Sequence, residues 1–310
     1  MSSDLQVDRH QKGIWQYHFY YPPILEQFRL SLGEGGTPQM VFGGIVFKRE
    51  DKNPTGSLKD RGMAYQISQA YQEGAKNLVI STSGNAGISA AAYCQLAKIR
   101  LHVFISPKID QLKMEKIRQL GAKINLTKRP VSEAMKFSQA MGFSNLRPST
   151  QANGTAGYRS LAFELHQSLG KVENLFLPVS SGTALVGMAE GFKILGYLPR
   201  FHLVQTTTVC PLAGLFDRDY QKGEKSLAEA LVARVTPRKE QVLNLVADSG
   251  GGGWVISDRQ IRQAWEELTK WGIQTSAEGA AALAAIRKAQ RKGEKLEGEI
   301  VCLLTGRKYD

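Results

Sequence analysis

One lysine of this sequence stands where it could act as a nucleophile. The turn of residues 53–56 (NPTG) precedes a helix-like run, and Ser57 is placed to cap that helix. Lys59 then falls in the first helical turn, where the positive end of the helix dipole lowers the pKa of an amine. A deprotonated lysine can attack a carbonyl and form a Schiff base. The residues alone leave open a second interpretation, in which Lys59 is exposed and paired with Asp60.

Two further segments, each between a strand-like run and a helix-like run, are rich in hydroxyl groups and small residues. They are residues 81–87 (STSGNAG) and residues 178–187 (PVSSGTALVG). Free backbone N–H groups at a helix N-terminus bind carboxylate or phosphate, so both are candidate anion sites. The same composition is also found in ordinary helix caps. A fourth segment, residues 303–310 (LLTGRKYD), contains the end of a strand-like run at Thr305-Gly306, followed by Arg307 and Lys308, and carries little weight alone.

Strand-like and helix-like runs alternate along the chain and would position these segments. The strand-like runs begin at residues 45, 77, 101, 122, 175, 201 and 299, and the helix-like runs span residues 60–75, 86–98, 113–120, 132–141, 157–169, 184–195, 257–270 and 278–292. This alternation predicts parallel sheets with crossover helices, in which ligands bind at the carboxyl ends of the strands. We predict two sheets, the first running from Ile45 to about Met141, with a crossover in the irregular stretch 142–157. The run SGGGG at 249–253 is interpreted as a flexible turn.

Composition excludes several classes of protein. With 42% hydrophobic and 22% charged residues the chain is neither disordered nor collagen-like, and it has no run of about 18 apolar residues that could span a membrane. No secretory signal is recognised at the N-terminus, so a cytoplasmic location is expected. The net charge of +12 is scattered, and its densest stretch, residues 287–295, is interpreted as a solvated helix face rather than a nucleic-acid site. The cysteines and histidines show no metal-ligand spacing, and the cysteines are interpreted as packing residues.

Together these segments resemble the pyridoxal-phosphate enzymes of the tryptophan-synthase-β-like family (fold type II) and, within that family, the threonine synthases. Residues 53–62 (NPTGSLKDRG) are similar to the family's lysine motif, with Leu58 in place of the usual Phe. The KDRG ending favours the threonine synthases over the serine/threonine dehydratases. Further similar segments follow the family's order: GIWQYHFYYPP at 13, SLGEGGTP at 31, STSGNAGISAAAY at 81, SAEGAAALAA at 276 and TGRK at 305.

The resemblance implies an α/β fold of two doubly wound open-sheet domains, with the cofactor in the cleft between them. Residues 43–150 would form a smaller, mobile domain. Residues 1–42 with 151–310 would form the larger domain, which binds the cofactor phosphate. The resemblance also implies a homodimer that takes a small anionic amino-acid substrate and binds neither nucleic acid nor membrane.

The resemblance also assigns roles to residues of each matching segment. Lys59 would form the internal aldimine with pyridoxal 5'-phosphate and move protons, and Asn85 would hydrogen-bond the ring hydroxyl. The loop that would hold the cofactor phosphate comprises Ser180, Ser181, Gly182, Thr183 and Ala184. Thr305 would face the pyridine nitrogen. The substrate would be bound by Thr82, Ser83, Gly84, Asn85 and Ala86. Arg159 lies in a segment that departs from the family's pattern, and the residues leave open whether it offers a cation for a substrate phosphate or is solvated. No metal is expected.

The implied activity is that of a lyase of threonine biosynthesis, which converts O-phospho-L-homoserine and water to L-threonine and phosphate. Three segments depart from the family's pattern. The loop 180–184 has fewer glycines than usual, the segment at Gly154 lacks the usual Glu-Gly-Gln-Lys-Thr stretch, and the end TGRKYD is shorter than the usual TGxGxKD. The alternative is a related pyridoxal-phosphate amino-acid dehydratase or β-replacement enzyme, which needs no second phosphate site.

Overall fold

A computed structural model describes residues 5–309 and shows two compact units. The first unit contains Gly36–Lys52 and Tyr158–Lys308, and the second contains Gln6–Gly35, Asn53–Gly157 and Tyr309. The strands are β1 (Gln39–Phe42), β2 (Ile45–Lys48), β3 (Asn77–Ser81), β4 (Arg100–Ile105), β5 (Lys123–Leu126), β6 (Ser144–Asn145), β7 (Asn174–Pro178), β8 (Arg200–Thr206), β9 (Gly252–Ile256) and β10 (Ile300–Leu303). The α-helices are α1 (Lys59–Gln72), α2 (Asn85–Leu96), α3 (Gln111–Gln119), α4 (Pro130–Met141), α5 (Arg159–Leu169), α6 (Thr183–Ile194), α7 (Lys239–Asp248), α8 (Asp258–Lys270) and α9 (Ala277–Arg291).

The first unit is built on a six-stranded sheet in the order β1-β2-β10-β7-β8-β9. Its pairs are parallel except β1 with β2, which run antiparallel. Apolar side chains of α8 and α9 pack on one face, and those of α5, α6 and α7 pack on the other. Because helices cover both faces of this sheet, successive residues of β2, β7 and β10 are mostly apolar instead of alternating between apolar and polar.

The second unit has a parallel four-stranded sheet in the order β5-β4-β3-β6. Helix α1 packs against α2, and α2 against α3. The N-terminal residues of this unit pack on α1 through aromatic rings: the centroids of Trp15 and Tyr21 lie 6.0 and 5.9 Å from that of Tyr65. The helix that presents Lys59 is therefore held by residues distant in sequence.

The predicted α/β class is confirmed, and the predicted helices and strands are found within a few residues of their expected limits. The prediction that β2 begins the first sheet is wrong. Val46 of β2 instead pairs in parallel with Val301 of β10, so β2 belongs to the six-stranded sheet. The compact units also differ from the predicted domains, because residues 6–35 group with 53–157 and residues 43–52 with 158–308.

Two interpretations of local sequence need correction. Part of the SGGGG run is strand β9, and a Cβ at Gly251 would lie 2.1 Å from the carbonyl oxygen of Phe201. Close approach of two backbone segments thus requires glycine there, rather than flexibility. The basic stretch 287–295 is not a simple solvated face, since Lys288 is buried and bonded to Asp217. Cys94 and Cys302 are buried, which confirms them as packing residues. In the described part of the chain, the helices fall short of the length and apolar character that a membrane crossing requires.

Candidate active site

Lys59 is the first residue of α1 and is partly buried. Ser57, the predicted cap, accepts a hydrogen bond from the Lys59 backbone N–H at 3.4 Å, whereas Leu58 occupies the capping position. Burial lowers the pKa of the Lys59 amine to about 8. The direction of the shift is the one expected from the sequence, but its cause is desolvation rather than the helix dipole. A lysine with this pKa has a sizeable neutral, nucleophilic fraction near physiological pH.

The turn before Lys59 is fixed by a buried carboxylate. Asp60 is fully buried and accepts hydrogen bonds from the Thr55 backbone N–H at 2.7 Å and the Thr55 hydroxyl at 2.5 Å. The side-chain oxygen of Asn53 accepts a bond from the Gly35 N–H at 2.9 Å. These bonds hold the NPTG turn, so its shape does not depend on an exposed pair between Lys59 and Asp60.

The loop between β3 and α2 is organised by Thr82. Its hydroxyl accepts hydrogen bonds from the N–H groups of Gly84 and Gly87 at 3.0 and 3.2 Å. Gly84 has a φ of +141°, which other residues rarely adopt, and a Cβ there would lie 2.6 Å from Cδ of Lys113. The N–H groups of Gly84 and Gly87 are thus occupied, and the exposed Ser83 with the remaining N–H groups at the start of α2 could bind an anion.

Asn85, the first residue of α2, carries a buried polar atom without a partner. Its Oδ1 finds no hydrogen bond among the residues that the structure describes, and the same holds for Oγ of Ser89 one turn later. Buried polar atoms are almost always paired. An unpaired acceptor at this loop fits a ligand that brings a donor, such as the ring hydroxyl of pyridoxal phosphate.

In the first unit, the loop that precedes α6 has the features of a phosphate cradle. Gly182 has a φ of +79°, and a Cβ there would lie 2.5 Å from Cγ2 of Val242. The hydroxyls of Ser181 and Thr183 lie 3.0 Å apart at the start of the helix. The N–H groups of the first helical turn have no partner within the helix, so they and these hydroxyls can bind an oxyanion. Ala184 follows on the same turn.

Thr305 lies at the same sheet edge as this loop. It directly follows the β10 segment and is 7% exposed, while the loop 180–184 follows the neighbouring strand β7. The carbonyl of Gly306 accepts hydrogen bonds from Ser276 N–H at 2.8 Å and the Thr275 hydroxyl at 3.0 Å, which holds the turn in place. The structure thus brings Thr305 and the loop 180–184 to adjacent strand ends.

Arg159, the predicted cation for a substrate phosphate, has an acidic partner. Its Nε donates to Glu190 at 2.9 Å, and both side chains are half-buried. Glu190 thus compensates the positive charge of Arg159, which is the charge that a substrate phosphate would need. The role predicted for Arg159 stays a prediction.

Sequence reasoning missed Lys113. Its methylene groups lie over Gly84, and among residues 5–309 its ammonium group has no acidic partner. One contact close in sequence helps to position Lys113: Asp110 caps α3 by accepting a hydrogen bond from the Lys113 N–H at 2.9 Å. Proximity of Lys113 to the loop 82–86 depends on how α3 packs on α2, which no motif reports. As for metals, the described residues contain no group of three His, Cys, Asp or Glu side chains that could hold one.

The chain is similar in sequence to known proteins of one enzyme family. Residues 23–306 match a sequence model described as pyridoxal-phosphate dependent enzyme. The chain is 27% identical to a threonine synthase of Halalkalibacterium halodurans, over 95% of this chain and 88% of that protein. It is 25% identical to a threonine synthase of Methanocaldococcus jannaschii, over 98% of this chain and 82% of that protein.

The fold is also similar to solved structures of this class. Maize serine racemase superposes with a TM-score of 0.77 at 19% identity, and the match covers 88% of each chain. The unpaired Oδ1 of Asn85, the cradle at Gly182 and the lysine with a lowered pKa all fit the cofactor. The chain belongs to the pyridoxal-phosphate dependent enzyme family, with the fold type II architecture and pyridoxal phosphate as its cofactor.

Proposed function

We propose that this chain is a threonine synthase, a lyase that converts O-phospho-L-homoserine and water to L-threonine and phosphate. Relatives with that name match it over nearly its whole length. The observation that carries the substrate assignment is Lys113, whose stem lies on Gly84 of the candidate carboxylate loop and whose ammonium group has no acidic partner among the described residues. An amino-acid substrate with a phosphate group needs such a cation beside its carboxylate site.

We propose the following roles toward the cofactor for the residues of the matching segments. Lys59 and Asn85 would hold the ring, the loop 180–184 would hold the phosphate, and Thr305 would face the ring nitrogen. When bound, pyridoxal phosphate supplies an electron sink that stabilises negative charge on the substrate carbons. A threonine hydroxyl is neutral, so it would leave the ring nitrogen unprotonated, unlike a carboxylate partner.

Lys59 would act as the base. Its amine, with a pKa of about 8, would accept the proton from the substrate Cα and later one from Cβ. A base works best when its pKa lies near the working pH. The N–H and hydroxyl groups of residues 82–86 would bind the substrate carboxylate, and Lys113 would bind the phosphate that leaves from Cγ. The two protons that Lys59 removes would return to Cγ, which becomes the methyl group, and to Cα, and water would add at Cβ to supply the hydroxyl.

A second candidate is an amino-acid dehydratase or β-replacement enzyme with the same cofactor. The ion pair between Arg159 and Glu190 favours it, because that arginine is already compensated and these reactions need no cation for a second phosphate. The two candidates differ in substrate and in product. The expected homodimer and cytoplasmic location stay predictions.

The test is an assay of the purified enzyme with pyridoxal phosphate and O-phospho-L-homoserine, in which phosphate and threonine are measured together. We expect equal amounts of both, and none from Lys59→Ala. Lys113→Met should raise the KM, whereas Lys108→Met, at an exposed lysine of the same region, should not. Failure to form threonine, with release of a 2-oxo acid from serine or threonine, would replace the first candidate by the second.

A further inference from the structure

We propose that Tyr309 is a positioning residue that directs the ammonium group of Lys113 toward the substrate's phosphate. The proposal rests on the proposed function, since it concerns the same binding site. Tyr309 groups with the second unit, to which Lys113 and the loop 82–86 also belong. It lies in the last segment singled out in the sequence, where no role was assigned to it.

The aromatic ring of Tyr309 lies near two ammonium groups. The Nζ atom of Lys113 is 5.6 Å from the ring centroid, and the Nζ atom of Lys116 is 4.7 Å from it. Ammonium groups at such distances are attracted by the electron-rich ring face. The two lysines are three positions apart on α3 and would repel each other on one helix face. The ring offsets this repulsion and so favours the position of the Lys113 ammonium group seen in the structure.

The ring itself is anchored to the turn before Lys59. The Tyr309 hydroxyl donates a hydrogen bond to the carbonyl of Thr55 at 3.0 Å. Thr55 is in turn held by the buried Asp60. Tyr309 thus has a fixed position relative to Lys59, the residue that would act as the base. Its ring in turn restrains the ammonium group of Lys113.

The two ends of the Lys113 side chain are therefore constrained by different residues. Its methylene groups lie on the backbone of Gly84, and its ammonium group faces Tyr309. A free lysine side chain samples many rotamers, and fixing it on binding costs entropy. With the ring present, part of that ordering is complete before the substrate arrives. The expected consequence is tighter binding of the phosphate group, with little effect on the chemical step.

The experiment compares holoenzymes of wild type, Tyr309→Leu and Tyr309→Phe. Loss of the ring in Tyr309→Leu should raise the KM for O-phospho-L-homoserine about five- to thirtyfold, with kcat changed less than about twofold. Tyr309→Phe keeps the ring and should restore most of the affinity. In the Lys113→Met background, Tyr309→Leu should add little further loss, because the two residues act as one unit.

A second readout does not require turnover. Calorimetric titration of each holoenzyme with inorganic phosphate should show weaker binding to Tyr309→Leu than to wild type or Tyr309→Phe. Equal affinity in all three, or a Tyr309→Leu variant whose kcat falls while its KM stays, would overturn the proposal. If wild type formed no threonine but its phosphate affinity still depended on Tyr309, the proposed function would fail while this anion site would stand.

Discussion

The hydroxyl of Tyr93 donates a 2.6 Å hydrogen bond to the fully buried carboxylate of Glu34. The same carboxylate accepts bonds from the N–H groups of Ile14 and Leu32 and from the Ser31 hydroxyl. Tyr93 lies on α2, the helix that begins with Asn85. Glu34 therefore holds the N-terminal segment of the second unit against the helix that begins with Asn85, the residue proposed to contact the cofactor ring.

Tyr93→Phe removes the donor but keeps the ring, so it isolates this bond. We expect it to lower the free energy of unfolding by about 1–3 kcal/mol, the usual cost of leaving a buried charged group short of a partner. Chemical denaturation of the apoenzyme would measure it. Tyr71→Phe, on the neighbouring helix α1, is the matched control. A loss below about 0.5 kcal/mol for Tyr93→Phe would show that the Glu34 bond adds nothing to stability.

Glu34 should also give stability a distinctive pH dependence. Burial raises the pKa of Glu34 above 4.5, despite the bonds from Tyr93 and the backbone. A group whose pKa is raised on folding stabilises the protein below its unfolded pKa, and this contribution is lost as the pH rises through the folded value. Wild type should therefore lose stability relative to Glu34→Gln from about pH 4.5 upward. Denaturation midpoints of both proteins between pH 4 and 8 check this, and a constant difference would contradict it.

Lys59 should set the pH dependence of cofactor capture. Since its pKa is about 8, each pH unit below that value lowers the neutral fraction of the amine about tenfold. The rate at which apoenzyme takes up pyridoxal phosphate should rise with pH and level off above about pH 9. Stopped-flow absorbance from pH 6.5 to 9.5 would follow it, with Lys59→Ala as the blank. A midpoint near 10, the ordinary value for lysine, would mean that burial does not activate this amine.

Much of this candidate site could be predicted from short sequence segments, because its turns and helix starts depend on residues close together in the chain. The turn of residues 53–56, the glycine-containing starts of α2 and α6 and the threonine after β10 all lie where their patterns predicted. Ser57 is an instructive exception. It is a good capping residue, but the helix begins one position later than a Ser57 cap would place it, and burial rather than the helix dipole governs the pKa of Lys59.

The remaining features depend on contacts between residues far apart in the chain. Pairing of β2 with β10 joins residues about 255 positions apart, and no periodicity in β2 reveals that partner. The same is true of Lys113, whose approach to Gly84 follows from helix packing, and of Tyr309, which meets Thr55 only in the folded chain. Each of these positions has an unremarkable sequence context, so only the fold shows what the residue contacts.

Gly182 should be needed for cofactor binding rather than for general stability. Gly182→Ala would meet both an unfavourable φ of +79° and a clash with Val242, which would displace the phosphate loop. Gly196, after the other end of α6, has a φ of +84° and open space around it, so Gly196→Ala carries the backbone strain alone. Both variants should lose about 1–2 kcal/mol of stability. Only Gly182→Ala should weaken pyridoxal phosphate affinity, by at least about tenfold, in a fluorescence titration. Equal affinities would remove the loop 180–184 from the cofactor site.

The buried ion pair of Lys288 and Asp217 should be a main support of the first unit. Lys288 Nζ donates to Asp217 at 2.6 Å and to the carbonyls of Asp219 and Val255 at 2.9 and 3.0 Å. Burial alone would raise the pKa of Asp217, but the bonds from Lys288 and the Val255 N–H lower it below 3.8. A lowered pKa means that the pair stabilises the fold above pH 3.8 and that this stability is lost as the pH falls below it.

Lys288→Met removes the buried partner of the Asp217 carboxylate. We therefore expect it to lower the free energy of unfolding by about 3–5 kcal/mol at pH 7. Lys292→Met removes the half-exposed partner at 3.2 Å and is the control, with an expected cost below about 1 kcal/mol. Urea denaturation at pH 7 and pH 3 measures both. At pH 3 the difference between wild type and Lys288→Met should shrink, because Asp217 of the unfolded chain, with its ordinary pKa of 3.8, takes up a proton there while folded wild type resists protonation. An equal cost for the two lysines, or a Lys288→Met loss that did not change with pH, would show that packing of the Lys288 stem rather than its charge supports this region.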